Sequence, residues 1–136
     1  MKPNRLNSFS LLCSLICYLI VCCPPTLTAQ QQPREVVRIL AVGNSFSDDG
    51  VEYLDELAKA AGIRLIVGNL YIGGCSLERH WENVSKGLPA YDYRKNCEGV
   101  QSNTPKTSLL SALQDEPWDY ITVQQVSQNS GLYDTY

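Results

Sequence analysis

The sequence predicts an α/β fold built on a parallel sheet. Three observations point to it. "VVRILAV" (36–42) is β-branched and nearly all apolar, as a strand covered on both faces requires. "DDGVEYLDELAKAAG" (48–62) switches to helical spacing, with Val51, Leu54, Leu57, Ala58 and Ala61 on one side. "IRLIVGNLYI" (63–72) returns to an apolar strand, so the run reads as a βαβ unit.

Each element carries its own signals. Asp48 and Asp49 are placed to cap the first helix, and Gly62 to end it. Residues 73–105 hold glycines, prolines and aromatics without a sustained period. Within them "YDYRKNCEGV" fits a hairpin turning near Asn96–Gly99. "KTSLLSALQDEP" (106–117) reads as a second helix, capped by Thr107 or Ser108 and followed by Pro117. "WDYITVQQVS" (118–127) is a further parallel strand. Right-handed crossovers place the first strand between the other two and leave that last strand as an open edge. The expectation is therefore a parallel sheet holding only its first three strands, the N-terminal part of a larger domain.

The N-terminus has a different character. Lys2 and Arg5 precede the apolar run "FSLLCSLICYLIVCC", and "PPTLTAQ" follows with the small residue Ala29. This is the three-part pattern of a secretory signal peptide over residues 1–29, with 30–35 as a linker and 36–136 as the domain. The run is short for a membrane span, so no integral span is expected after its removal. A lipoprotein signal at Cys22 or Cys23 is the rival, disfavoured by the residues before them. The expected location is periplasmic or extracellular. Of six cysteines, only Cys75 and Cys97 lie beyond this segment, and an oxidising compartment would permit a disulfide between them; two partly buried thiols are the alternative.

The chain has a formal net charge of −3, and its first 29 residues contribute two cations and no acid. No basic stripe exists, which excludes nucleic acid as an expected partner. No Cys, His, Asp or Glu spacing suggests a metal site, and no cofactor motif is present. Gly-x-Ser-x-Gly is absent as well.

Three stretches fall at the same end of successive strands, where open α/β sheets bind ligands. Ser45 in "GNSFS" sits past the first strand, facing a helix N-terminus; it is a nucleophile or simply a helix cap. "IGGCS" follows the second strand, offering backbone amides for an oxyanion or merely a tight turn. "VQQVSQNSG" follows the last, with Gln125, Ser127, Gln128 and Asn129 as a polar cluster.

Together these stretches resemble the blocks of the SGNH (GDSL-like) hydrolases, in particular an uncharacterised secreted bacterial subfamily. "GNSFS" looks like their first block, with Asn44 where Asp is commoner. "IGGCS" is similar to the second, and "DYITVQQVSQN" to the strand entering the third. The resemblance implies a three-layer α/β/α, flavodoxin-like fold. It implies Ser45 as nucleophile, and an oxyanion hole from the amides of Ser45 and Gly74 (or Gly73) with the side chain of Gln128, Asn129 being one residue out of register. The implied reaction is hydrolysis of small acyl esters, such as acetyl groups on carbohydrates. Tyr71, Trp81, Tyr91 and Tyr93 would suit a sugar, or form core.

The sequence departs from that family at the general base. The Asp-x-x-His pair is absent; the sole histidine is His80, and Leu77 stands three residues before it. A serine without its base is a poor nucleophile. His80 as substitute base, and Cys75 as a nucleophile paired with it, are further readings. A non-catalytic, secreted carbohydrate-binding or interaction module on a hydrolase-like scaffold is the alternative to an esterase.

Overall fold

The apolar run at 36–42 forms β1 (Val36–Gly43), and the helical period after it forms two helices, α1 (Ser45–Val51) and α2 (Leu54–Ala60). Then come β2 (Arg64–Tyr71), α3 (Leu77–Ser85), β3 (Tyr91–Cys97), β4 (Val100–Thr107), α4 (Leu109–Asp115) and β5 (Tyr120–Val123). Two 3-10 turns follow, at Ser127–Asn129 and Tyr133–Thr135. This is a computed structural model, and it describes residues 36–136. The expected signal peptide and linker, residues 1–35, lie outside the described residues.

The fold is mixed α/β, on a five-stranded sheet of order β4-β3-β2-β1-β5. β1 lies between β2 and β5 and runs parallel to both, with Val36 opposite Arg64 and Ile39 opposite Tyr120. That matches the expected crossovers, and β5 is an edge strand. The purely parallel, three-stranded sheet is corrected. β3 pairs antiparallel with β2, and β4 antiparallel with β3. The physical reason lies in the polar residues of 91–107: an antiparallel extension tolerates one solvated face, which a buried parallel strand does not.

The hairpin turns where expected. Cys97 opposes Val100, so Glu98 and Gly99 form a two-residue loop with φ of 54° and 94°. Both positions need the left-handed region in this kind of turn. Glu98, a poor fit for it, is held by Arg64, whose Nε donates to its carboxylate at 2.7 Å. Asn96 Oδ1 accepts from the Gly99 amide at 2.7 Å.

Two helix expectations change. The single helix over 48–62 is two short ones, interrupted at Glu52–Tyr53 just past Gly50, a weak helix former. Asn44 caps the first, not Asp48 or Asp49. Gly62 does end the second, at φ +72°. The helix over 106–117 is confirmed as α4 with Ser108 as its cap, although Lys106 and Thr107 belong to β4.

Alternation along the strands divides the sheet's two faces. Leu40, Val42, Leu70 and Tyr93 pack with Tyr91 and with Ala112 of α4, bordered by Ile72, Leu109 and Trp118. Lys95 ties β3 to the end of α4 through Asp115 and Glu116. That hydrogen bond from Lys95 holds the Asp115 carboxyl below its ordinary range. Gly68 sits under this core. A Cβ there would come within 2.8 Å of Tyr93, 2.9 Å of Trp118 and 3.0 Å of Leu40. Gly68→Ala is expected to cost about 2 kcal/mol by overpacking, read from the urea midpoint. An unchanged midpoint would show that the three side chains yield freely.

Candidate functional site

The carboxyl ends of β1, β2 and β5 lead into loops that meet at one buried side chain, Asn44, which is 1 % exposed. Its Oδ1 accepts from the Phe46 amide at 3.1 Å, capping α1. Its Nδ2 donates to Cys75 O at 3.1 Å and to Gln125 O at 3.4 Å. One carboxamide thus joins the loop after β1 to the loops after β2 and β5. The backbone repeats the connection: Ile72 N donates to Gly43 O at 3.1 Å, and Gln124 N to Val42 O at 3.0 Å. Sequence reasoning gave Asn44 no such part. An Asn immediately before a helix is nonetheless a cap signature.

Gln125 is a second clamp at this end. Its Oε1 accepts from Leu77 N at 3.0 Å and from Val126 N at 2.9 Å, and its Nε2 donates to Thr135 O at 2.8 Å. It therefore holds the start of α3 and the final turn to the loop after β5.

Ser45 is the first residue of α1 and is exposed. Its amide belongs to the first turn, where N–H groups have no intrahelical acceptor. The other serine of "GNSFS", Ser47, points inward. Its Oγ lies 2.7 Å from Asn44 O and 2.9 Å from Asn69 Oδ1. Gly74 is exposed, with φ +60° and open space where a Cβ would stand. It lies in the turn closed by Cys75 N donating to Ile72 O at 3.2 Å. The Gly74 loop is thus tied to the Ser45 loop through Asn44 and the Cys75 carbonyl. Gln128 is exposed in the first 3-10 turn and accepts from Ser127 Oγ at 3.3 Å. The amide buried in this loop is Gln125, three residues earlier. Asn129 is half-buried and borders a hollow of about 470 Å³ with Gln125, Leu77 and Trp81.

His80 is buried within a cluster of its own. Its Nδ1 lies 3.0 Å from Tyr91 Oη and 3.5 Å from Cys75 Sγ. Tyr91 Oη can donate to Nδ1 or accept from it, so the tautomer follows from the direction of that bond, and Nε2 has no partner among the described residues. Burial pushes the imidazole below its ordinary pKa and the Cys75 and Tyr91 groups above theirs. His80 touches Tyr91 and Cys75 rather than Ser45. Cys75 is fully buried, and burial raises its thiol pKa, which disfavours the thiolate that a nucleophile needs. Cys75 and Cys97 are both free, one buried and one exposed.

A depressed histidine pKa makes stability depend on pH. The unfolded chain binds a proton below about pH 6.5 that the folded chain refuses, so stability is full above that value and falls with pH beneath it. The slope approaches at most about 1.4 kcal/mol per pH unit. Urea titrations between pH 7 and 5 are expected to show this loss, and His80→Gln to lack it. An equal slope in both proteins would assign the acid lability elsewhere.

The aromatic residues divide. Tyr91 and Tyr93 are core, whereas Trp81 is 71 % exposed on α3 and Tyr71 lies beneath Arg94, whose guanidinium carbon is 3.8 Å from the ring centre. Among the described residues, no cluster of His, Cys, Asp or Glu is placed to hold a metal ion, and no helix is long and apolar enough to cross a membrane.

Residues 38–136 match a family model described as a domain of unknown function, DUF4886. The chain is also similar to the crystal structure of a DUF4886 family protein from Bacteroides uniformis ATCC 8492, at 53% identity and a TM-score of 0.73. That match covers 75% of this chain and 40% of the other, so the chain spans well under half the length of that protein. No curated protein matches.

Proposed function

The chain belongs to the DUF4886 family, and we propose that it is the serine-bearing part of an exported esterase of SGNH type, acting on small acyl esters such as O-acetyl groups of carbohydrates. One observation carries the reading. An exposed Ser45 stands at the mouth of β1 on a helix N-terminus, with the Gly74 loop tied to it through Asn44. Helices α1 and α4 on opposite faces of the sheet support a three-layer, flavodoxin-like arrangement around that site.

The chemistry is acyl transfer. Ser45 Oγ attacks the ester carbonyl carbon, and its proton passes to a base. The tetrahedral oxyanion is held by the amides of Ser45 and Gly74, with Gln128 as the side-chain donor. The carbon–oxygen bond to the alcohol then breaks, and the alcohol leaves with a proton. Water later cleaves the acyl-serine. The sequence holds no Asp-x-x-His, and His80 is committed to Tyr91 and Cys75. The first step is therefore slow on this chain, and an acyl-serine, once formed, persists.

That persistence makes the test direct. Incubation with 4-nitrophenyl acetate is expected to place an acetyl group on Ser45, read by peptide mass spectrometry, ahead of every other serine. Labelling of Ser45 no faster than of Ser127 would overturn the reading. The buried His80 favours the second reading, a non-catalytic carbohydrate-binding module, which that same result would leave standing.

A further inference from the structure

The β3–β4 hairpin, absent from the parallel βαβ plan, builds a second concavity beside α1. It encloses about 630 Å³ between α1 and the sheet face that carries Asn69. Its floor is a field of carboxamides. Asn69 on β2 neighbours Arg94, which opposes Asn103, and Asn96 opposes Gln101. Several are already oriented. Asn69 Nδ2 donates to Asp48 Oδ1 at 2.6 Å. Asn96 lines the groove, and its Oδ1 is taken by the Gly99 amide, so its NH₂ is the end of the carboxamide left to donate. Gln101 and Asn103 stand exposed.

The charges narrow the ligand. Arg94 is paired with Asp48 and lies over Tyr71, while Lys95 is held by Asp115 and Glu116. Asp49 and Glu52 on the wall have no ion-pair partner among the described residues, and their charge repels an anionic ligand. Val51 and Val67 are the apolar side chains of the lining, and the rest of its apolar surface belongs to the stems of polar residues rather than to a continuous hydrophobic wall. What matches paired donors and acceptors, two carboxylate acceptors and an apolar surface supplied mostly by the stems of polar side chains is a hydroxyl-rich ligand with apolar C–H faces that is neutral or amino-bearing.

We propose that the groove between α1 and the β3–β4 hairpin binds a saccharide segment. Ser45, Asp48 and Asp49 fall at i, i+3 and i+4 along α1, and Glu52, its C-cap residue, follows at i+7, a rise of about 10 Å. Asp48 and Asp49, which line the groove, lie about one helical turn from Ser45. That the bound saccharide carries the ester rests on the esterase reading; the groove's affinity for it does not.

The test uses the full chain, ¹⁵N-labelled, with three hexamers: cellohexaose, the glucosamine hexamer and hexagalacturonate. The side-chain NH₂ signals of Asn96, Gln101 and Asn103 are expected to shift with the neutral or the amino-bearing hexamer and not with the anionic one. Gln101→Ala with Asn103→Ala is expected to weaken that binding about tenfold or more, the loss of about 1.4 kcal/mol. Acetylation of Ser45 by 4-nitrophenyl acetate should be unchanged in the double variant. No shift with either favoured hexamer at millimolar concentration, a preference for hexagalacturonate, or wild-type affinity in the double variant each overturns the proposal. Binding without acetylation sinks the esterase reading alone, and acetylation without binding sinks the groove alone.

Discussion

Asn44→Asp is expected to lower folding stability by about 3–5 kcal/mol, although the two side chains have nearly the same shape. Aspartate is a good helix cap, and a carboxylate at a helix N-terminus gains about 0.3–1 kcal/mol. In this protein that gain is outweighed. The Nδ2 donor to Cys75 O and Gln125 O becomes an oxygen, so a buried charge faces two carbonyl oxygens. The carboxyl pKa in the folded variant rises above its unfolded value. The penalty is then full at neutral pH and shrinks as the pH falls through the raised value, where the carboxylic acid can again donate. Asn44→Ser keeps the cap and loses the bridges, and should cost about 1–3 kcal/mol without that pH dependence. Urea titrations at pH 7 and 5 decide it; wild-type stability for Asn44→Asp at pH 7 would mean the bridges carry no weight. The same two donors give a physical reason for Asn at a position where the family this block resembles more often has Asp.

What was legible in the sequence was what burial and period dictate together. β1, β2 and β5 are apolar runs, and their order about β1 follows from crossover handedness. The two-residue turn at Glu98–Gly99 was visible because a glycine and an asparagine flank an alternating segment. α3 was not legible, and its residues explain why. Its buried positions are His80 and Asn83, while Trp81 and Val84 face outward. The apolar stripe that normally announces a helix is on the wrong side. Two acids four and five residues after Asn44 offer the same capping signal and mask it. Its two bridges join residues 31 and 81 positions away, which no local pattern reports. In the sequence Gln125 is one of several polar loop residues, yet it is the buried amide of its loop, and the exposed Gln128 is not.

Ser45 and Ser47 give the second large effect, because one is exposed and the other is buried and hydrogen-bonded. Ser45→Ala is expected to reduce acyl transfer from 4-nitrophenyl acetate to the protein by about 100-fold or more, with the urea midpoint unchanged. The figure is modest for a nucleophile because no base assists it here; what is lost is attack supported by oxyanion donors alone. Ser47→Ala should do the reverse. Its Oγ is buried, lying between the Asn44 carbonyl and Asn69 Oδ1, and it packs against Gly43, where a Cβ would stand 2.8 Å away. Removing the hydroxyl leaves a buried amide oxygen without its donor, a cost of about 1–3 kcal/mol. Acyl transfer per folded molecule should persist. The pair separates a serine that reacts from a serine that supports. Retained transfer in Ser45→Ala would make that residue a bystander beside the cap, and loss in Ser47→Ala alone would show that the site's geometry, not its exposed hydroxyl, limits the reaction.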